Sequence, residues 1–302
     1  MIRLRPDLCL AGSPERTVWR SVVETHDNRL FVLEKIPSRR YARKRRIAGI
    51  LQWLADHKLA EVLSYRQDTD GEAISLFDHG LWQLCPYVEG VPLDRPAYAM
   101  DEWRGNAAAA FLTRFYHICL QNPAHSVILP FSIVDYIRNL FATLSHRQPT
   151  IAERYHPFTA HLERHLLPVH DGLPRHFCHG DLHPLNIIWG KDAIRAVIDW
   201  EFCGIKPEIY DLANLLGCLG MEDPRSLAGP FANRLIARLK GSGIYADASW
   251  NALPDLMLAI RFAWLGEWLR KDDRPMTRLE ADYMSLLLDN RRELSDRWCL
   301  SR

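Results

Sequence analysis

The N-terminal part of the chain alternates apolar and polar residues with the period of β-strands. Thr17–Glu24 and Leu30–Ile36 are rich in β-branched and aromatic residues, and the His-Asp-Asn turn at residues 26–28 lies between them. Together they predict a hairpin. Three further segments predict the rest of an antiparallel sheet: Ala60–Tyr65, Ala73–Phe77 and Leu81–Tyr87.

Apolar residues recur at helical spacing in the remaining predicted elements. The first predicted helix follows a basic run at residues 39–46, which we interpret as a solvated helix start, with binding of an anionic substrate or partner as the alternative. From Asp101 onward the helical period dominates, which together with the small sheet predicts an α+β fold. The predicted helical segments are Asp101–Leu120, Val127–Leu144, Ile151–Leu167, Ser226–Lys240, Ala252–Arg270 and Thr277–Trp298.

A short polar constellation interrupts this pattern in the stretch HGDLHPLNIIWGKDAIRAVIDW, residues 179–200. His179, Asp181, His183 and Asn186 precede two apolar runs that a Gly-Lys-Asp turn separates. The pattern predicts a second hairpin, with Asn186 at the mouth of one strand and Asp199 at the end of the other. Oxygen ligands that converge in this way suit magnesium, which takes few protein groups and keeps phosphate and water in its shell.

Each of these polar residues taken alone has an ordinary explanation. Asp181 is equally consistent with a turn or cap residue, and an isolated Asn186 is more often a turn residue than a ligand. The alternation of His179, Asp181 and His183 also fits the zinc or iron site of a metallohydrolase. Against that alternative, Pro184 follows at once and the sequence holds no second cluster of histidines and carboxylates.

Composition and charge narrow the class of protein. The 302 residues are 48% hydrophobic and 25% charged, which is typical of a globular chain with a sizeable core. The net charge of +1 favours neither nucleic acid nor a membrane surface as a partner. Seven cysteines without paired-ligand spacing indicate reduced core residues. Since no segment resembles a signal peptide or a membrane span, we expect a cytoplasmic protein; its oligomeric state is open.

The motifs HGDLHPLN and IDWE, at this spacing, resemble those of the aminoglycoside phosphotransferase and choline kinase family, a branch of the protein-kinase-like fold. The resemblance implies that Asp181 orients or deprotonates an acceptor hydroxyl and that His179 braces the loop. It implies that Asn186 and Asp199 bind Mg²⁺ together with ATP. It further suggests that Asp211, in the segment KPEIYDLAN, supports this loop, with a helix cap as a compatible alternative.

The same resemblance assigns the parts of a nucleotide site. Lys35 matches the lysine that pairs with phosphates, although an edge-strand lysine in water is the alternative. LWQLCPYVEG matches the hinge, where Cys85, Tyr87 and Val88 would meet the adenine through backbone groups. AGSPER, at residues 11–16, matches the position of the phosphate-covering loop, but it contains only one glycine and is equally consistent with a plain connecting loop. The glutamate that often pairs with the lysine is missing between residues 39 and 54.

The resemblance implies a two-lobed protein-kinase-like fold. Residues 1–88 would form a small antiparallel-sheet N-lobe that binds nucleotide and ends at the hinge. Residues 89–302 would form a larger, mostly helical C-lobe that carries catalysis and acceptor binding. The implied activity is transfer of the γ-phosphate of ATP to a hydroxyl of a small molecule such as an aminoglycoside, choline, homoserine or a sugar.

Two alternatives stay open at this stage. The missing helix glutamate and the thin glycine loop favour a kinase-like module that senses nucleotide or binds a partner with weak or no catalysis. In the acceptor region, Trp264, Trp268 and Tyr283 either form an aromatic box for a quaternary ammonium group or belong to the core.

Overall fold

The computed structural model describes residues 2–10, 16–121 and 131–300. The chain forms two compact units, Met1–Leu93 with Pro184–Cys203, and Asp94–His183 with Gly204–Arg302. The α+β class is confirmed, because the first unit contains a small antiparallel sheet and the second is mostly helical. The division of nucleotide binding and catalysis between residues 1–88 and 89–302 stays a prediction.

A five-stranded antiparallel sheet, in the order β1-β2-β3-β5-β4, is the framework of the first unit. Its strands are β1 Arg3–Leu4, β2 Trp19–Glu24, β3 Leu30–Ile36, β4 Ser75–Phe77 and β5 Gly80–Pro86. The predicted β2–β3 hairpin is confirmed, with Val22 opposite Val32. One helix of this unit, α1 (Tyr41–Asp56), buries the predicted apolar stripe of Ile47, Ile50, Leu51 and Leu54.

The predicted strand Ala60–Tyr65 is wrong. Val62 makes an isolated parallel bridge with Val197, and the N–H of Val197 donates to the carbonyl of Glu61. The segment is buried by packing, since Leu59 and Val62 are almost inaccessible. Its apolar residues therefore imitate a strand pattern without joining the sheet.

The second predicted hairpin is confirmed and belongs to the first unit. Its strands, β7 Ile187–Trp189 and β8 Ile194–Val197, pair antiparallel with Ile187 opposite Val197. The N–H of Gly190 closes the turn by donating to the carbonyl of Ala193 at 2.7 Å. Trp189, Ala196 and Val197 are buried, so the hairpin is anchored through its side chains.

Helices dominate the second unit, which also holds a two-stranded antiparallel sheet of β6 (Arg175–Cys178) and β9 (Gly204–Pro207) that the sequence did not predict. The helices are α2 Glu102–Leu120, α3 Ile133–Arg147, α4 Pro149–His165, α5 Leu167–His170, α6 Tyr210–Glu222, α7 Pro230–Ser242, α8 Asp247–Arg270, α9 Arg274–Asp289 and α10 Arg291–Arg297. Residues 127–130 of one predicted helix lie outside the described residues. The single segment predicted at Thr277–Trp298 is two helices, because α9 ends before Asn290, whose side chain caps the carbonyl of Leu286. Across the described ranges, no helix is both long and apolar enough to cross a membrane.

Candidate active site

Helix α6 holds the backbone of the His-Gly-Asp motif. Asp211, in its first turn, accepts hydrogen bonds from the N–H groups of His179 at 2.7 Å and Gly180 at 2.8 Å. Gly180 has a φ of 81°, a conformation that glycine adopts without steric cost. Burial raises the pKa of Asp211 to about 6, and the two N–H donors oppose that rise. The predicted bracing role of Asp211 is thus confirmed.

His179 and Asn214 fix the rest of the loop that follows β6. The side chain of His179 is fully buried, and its Nδ1 accepts from the N–H of Asp181 at 3.2 Å. Asn214, on α6, donates from Nδ2 to the carbonyl of Leu182 at 3.1 Å. These contacts hold the backbone on both sides of Asp181, whose side chain is 20% exposed. The chemical roles of Asp181 and His179 stay predictions.

His183 lies next to Asp181. Its Nε2 lies 4.0 Å from Oδ2 of Asp181, and its ring meets Trp264 edge to face at 5.5 Å. Burial, and then the positive charge of Arg261, lower the pKa of His183 to about 4. Among the described residues, no group of three or more His, Cys, Asp or Glu side chains is placed to hold a metal ion. The arrangement does not support the metallohydrolase alternative.

The open end of the β7–β8 hairpin brings Asn186 and Asp199 together. The carbonyl of Asn186 accepts from the N–H of Ile198 at 2.9 Å, and both candidate ligands flank the paired residues Ile187 and Val197. Asp199 has a φ of 61° and ψ of 58°, a left-handed conformation that Asp and Asn adopt more readily than other residues with a side chain. Such backbone conformations are often found at functional sites.

The carboxylate of Asp199 already attracts a cation from its own chain. Arg16, which precedes β2, places Nη1 2.8 Å from Oδ1 of Asp199, and its guanidinium stacks 4.5 Å from the ring centroid of Phe202. An amide oxygen and a carboxylate are the hard donors that magnesium prefers. Asn186 and Asp199 therefore fit the predicted metal.

Lys35 lies on the face of β3 that carries aromatic residues. Its Nζ is 5.4 Å from the ring centroid of Trp82, its partner on β5, while Glu34 points to the opposite face and accepts from Gln83 at 2.5 Å. In the described part of the chain, no ion pair joins Lys35 to a carboxylate. The assignment of Lys35 to the phosphates stays a prediction.

The three predicted hinge residues differ in whether their backbone groups form hydrogen bonds within the protein. Cys85 is paired with Val32 inside the sheet, and the N–H of Tyr87 donates to the carbonyl of Leu30. Among described residues Val88 has no backbone hydrogen-bond partner. Just beyond it, a Cβ on Gly90 would approach Ile188 to 2.7 Å, so glycine permits close packing on β7. The base-binding role of all three residues stays a prediction, and most of the candidate phosphate loop, residues 11–15, lies outside the described residues.

The sequence interpretation missed a group of charged residues next to Asp199. Arg40, Arg43 and Lys44 all approach the buried carboxylate of Glu201. The predicted solvated helix start is therefore partly wrong, because one face of the basic run points inward. The spacing of the three cations, at positions i, i+3 and i+4 of a helix, was the available signal.

The candidate aromatic box is largely filled by the protein itself. Trp264 and Trp268 stack with centroids 5.7 Å apart, while the guanidinium of Arg261 lies 5.5 Å from the Trp264 ring and 5.4 Å from Tyr283. Lys271 lies 6.0 Å from the Trp268 ring. Since internal cations occupy these rings and Tyr283 is buried, the core interpretation is favoured.

A small antiparallel sheet, a predominantly helical unit and a braced His-x-Asp loop define the protein-kinase-like class, and solved structures of that class match the chain. The aminoglycoside phosphotransferase APH(2")-IIia, in complex with GDP and kanamycin, shares 16% identity at a TM-score of 0.68, covering 96% of this chain and 93% of that one. Amicoumacin kinase hAmiN, in complex with AMP-PNP, Ca²⁺ and Ami, shares 15% identity at a TM-score of 0.64, and the match covers 97% of this chain and 89% of that one. Ethanolamine kinase of Plasmodium vivax shares 13% identity at a TM-score of 0.63, and the match covers 95% of this chain and 82% of that one. These likenesses establish the fold.

The chain belongs to the phosphotransferase enzyme family, whose model matches residues 15–247. The predicted family and the predicted kinase-like fold are both confirmed. A comparison with curated proteins found no match.

Proposed function

We propose that the protein is a small-molecule kinase that moves the γ-phosphate of ATP to an acceptor hydroxyl. The observation that carries this proposal is the loop of residues 179–182, whose backbone is held by Asp211, His179 and Asn214 around a partly exposed Asp181. A rigidly positioned carboxylate suits a reaction in which placement and electrostatics supply most of the catalysis.

Each residue has a defined task in this proposal. Asp181 orients the acceptor and takes its hydroxyl proton, and Asn186 with Asp199 would hold magnesium. Magnesium, when bound, neutralises charge on the phosphates. Lys35 is the predicted phosphate partner, and Cys85, Tyr87 and Val88 are the predicted contacts of the base.

Nucleotide binding is the first test. We expect a thermal-shift titration of the full chain with ATP to show stabilisation that requires Mg²⁺ and reaches roughly 2.7 kcal/mol at about 100 times Kd. Asp199→Ala should lose the Mg²⁺-dependent part, because it removes the carboxylate ligand. GTP is measured in parallel, since relatives of this fold have been solved with GDP and with AMP-PNP. Absence of any shift in the wild-type protein would contradict the proposal.

The acceptor is sought next, with a panel of aminoglycosides, choline, ethanolamine, homoserine and sugars. Nucleotide-dependent phosphorylation of one of them supports the small-molecule assignment.

A second candidate function, a nucleotide-sensing or partner-binding module, is favoured by Lys35, for which the described residues provide no carboxylate partner. Turnover with any acceptor excludes that candidate.

A further inference from the structure

Helix α1 and the 3-10 turn Ser38–Arg40 before it direct one face of the basic run at a single carboxylate. Nζ of Lys44 lies 2.5 Å from Oε1 of Glu201, and Arg40 and Arg43 approach Oε2 at 3.3 Å and 3.5 Å. Arg43 also donates to the backbone carbonyl of Glu201. The helix is therefore tied to the Glu201 segment through both side chain and backbone.

Lys44 and Glu201 are the buried members of this group. Lys44 is 6% exposed and Glu201 is 4% exposed, whereas the side chain of Arg43 is half exposed. Removing both charges from water is unfavourable, and the attraction between them roughly offsets that cost. A buried ion pair of this kind adds little net stability, and its best-attested use is to select one arrangement over others.

The pair is mechanically linked to the candidate metal ligand. Glu201 lies in the 3-10 turn Trp200–Phe202, which begins directly after Asp199. Trp200 is buried and donates from Nε1 to the carbonyl of Val197 at 2.9 Å, so the turn is fixed on the end of β8. Arg16 pairs with Asp199 in the same segment, so both carboxylates of this turn are held by cations of the first unit.

We propose that Lys44 and Glu201 form the positioning pair of the nucleotide site, with the lysine on α1 and the carboxylate two residues after Asp199. The pair fixes Asp199 for the metal–nucleotide complex. This inference rests on the proposed function.

Calorimetric binding of AMP-PNP to the full chain, with and without Mg²⁺, tests the pair. We expect Lys44→Met to weaken Mg²⁺-dependent binding by about 10-fold, the low end of the range for losing a direct partner of a metal ligand, because Lys44 acts on Asp199 through Glu201. The number of sites per folded chain should stay unchanged, and Lys44→Arg should recover most of the affinity. The matched control is Arg45→Met, since Arg45 belongs to the same run but pairs with Glu72 on the surface.

The outcomes separate this inference from the proposed function. Wild-type affinity in Lys44→Met, together with loss of binding in Asp199→Ala, overturns the pair and leaves the kinase assignment standing. If the wild-type protein shows no Mg²⁺-dependent binding of AMP-PNP, both the positioning pair and the proposed kinase function are contradicted. If Lys44→Met fails to fold, the Glu201→Gln variant is measured instead. We expect it to show the same loss of affinity. Wild-type affinity in Glu201→Gln would contradict the inference.

Discussion

Asp181 is the side chain on which turnover should depend most directly. Replacement by Asn keeps its size and removes the carboxylate that would take the acceptor proton. We expect turnover to fall by roughly 10² to 10⁴, the range for a lost general base, while Mg²⁺-dependent nucleotide affinity is unchanged. Steady-state kinetics and calorimetry on the same preparation measure both quantities. An equal loss of nucleotide affinity would assign Asp181 to binding.

Asp211 should give protein stability a distinctive pH dependence. Its folded-state pKa of about 6 exceeds the usual value of 3.8, so between these pH values the folded chain binds more protons than the unfolded chain. The free energy of unfolding therefore decreases as pH rises from about 4 to about 6, by up to about 3 kcal/mol from this group. Above pH 6 its contribution is constant.

Denaturant unfolding of the wild type and Asp211→Asn across pH 4 to 8 isolates that contribution. The amide cannot titrate, so the difference between the two stability curves should change between pH 4 and 6 and then level off. Parallel curves over the whole range would show that Asp211 has an ordinary pKa in the folded protein.

The sequence predicted the loop residues better than the charged residues around them. The HGD motif and Asp211 are a local pattern whose partners follow from chain order. Strand alternation placed Lys35 and Glu34 on opposite faces, but it does not reveal which face meets α1. Glu201 resembled a surface acid because its partners, Arg40, Arg43 and Lys44, come from a distant part of the chain.

The contact between helices α8 and α9 contains a second buried ion pair, Arg261 with Glu280. Arg261 donates from two nitrogens to the Glu280 carboxylate at 2.5 Å and 2.7 Å, and both side chains are at most 2% exposed. Glu280→Gln should lower the free energy of unfolding by about 3–5 kcal/mol, because a guanidinium is left buried without its counter-charge. Chemical denaturation measures the loss.

Two further variants test the reason for that loss. The double replacement of Arg261 by Met and Glu280 by Leu should cost less than Glu280→Gln, since no buried charge remains. Glu267→Gln breaks an exposed pair with Arg270 on the same helix and should cost at most about 1 kcal/mol. Equal losses at Glu267 and Glu280 would contradict this account.

Elements with a sustained period or a clear turn signal were predictable, and short elements without either were not. The β2–β3 hairpin and the long helices follow from alternation or helical spacing over many residues, and the short β7–β8 hairpin follows from the Gly-Lys-Asp turn between two apolar runs. The four-residue strands β6 and β9 offer too few positions for a period, and their pairing is set by the fold. The strand wrongly predicted at residues 60–65 shows the opposite case, in which buried apolar residues produced a strand-like sequence pattern in a segment that does not pair with the sheet.

At the scale of the whole molecule, the sequence predicted a strand-rich segment followed by a helical one, but not which distant segments pack together. A division at residue 88 treats each lobe as one continuous segment. In the structure, Pro184–Cys203 packs with Met1–Leu93, so the first unit is built from two separate segments. Hydrophobic period reports which residues are buried and carries no information on which distant segment buries them.

The bridge between Val62 and Val197 has a consequence for how the protein is made. The first unit is incomplete until the ribosome has delivered residues 184–203, which carry Asn186, Asp199 and Glu201. At roughly 5–20 residues per second, the sheet and α1 wait on the order of 5–20 seconds for that segment. During this interval the inward cations of α1 lack their carboxylate, so the nascent chain depends on the late hairpin to finish the unit that was translated first.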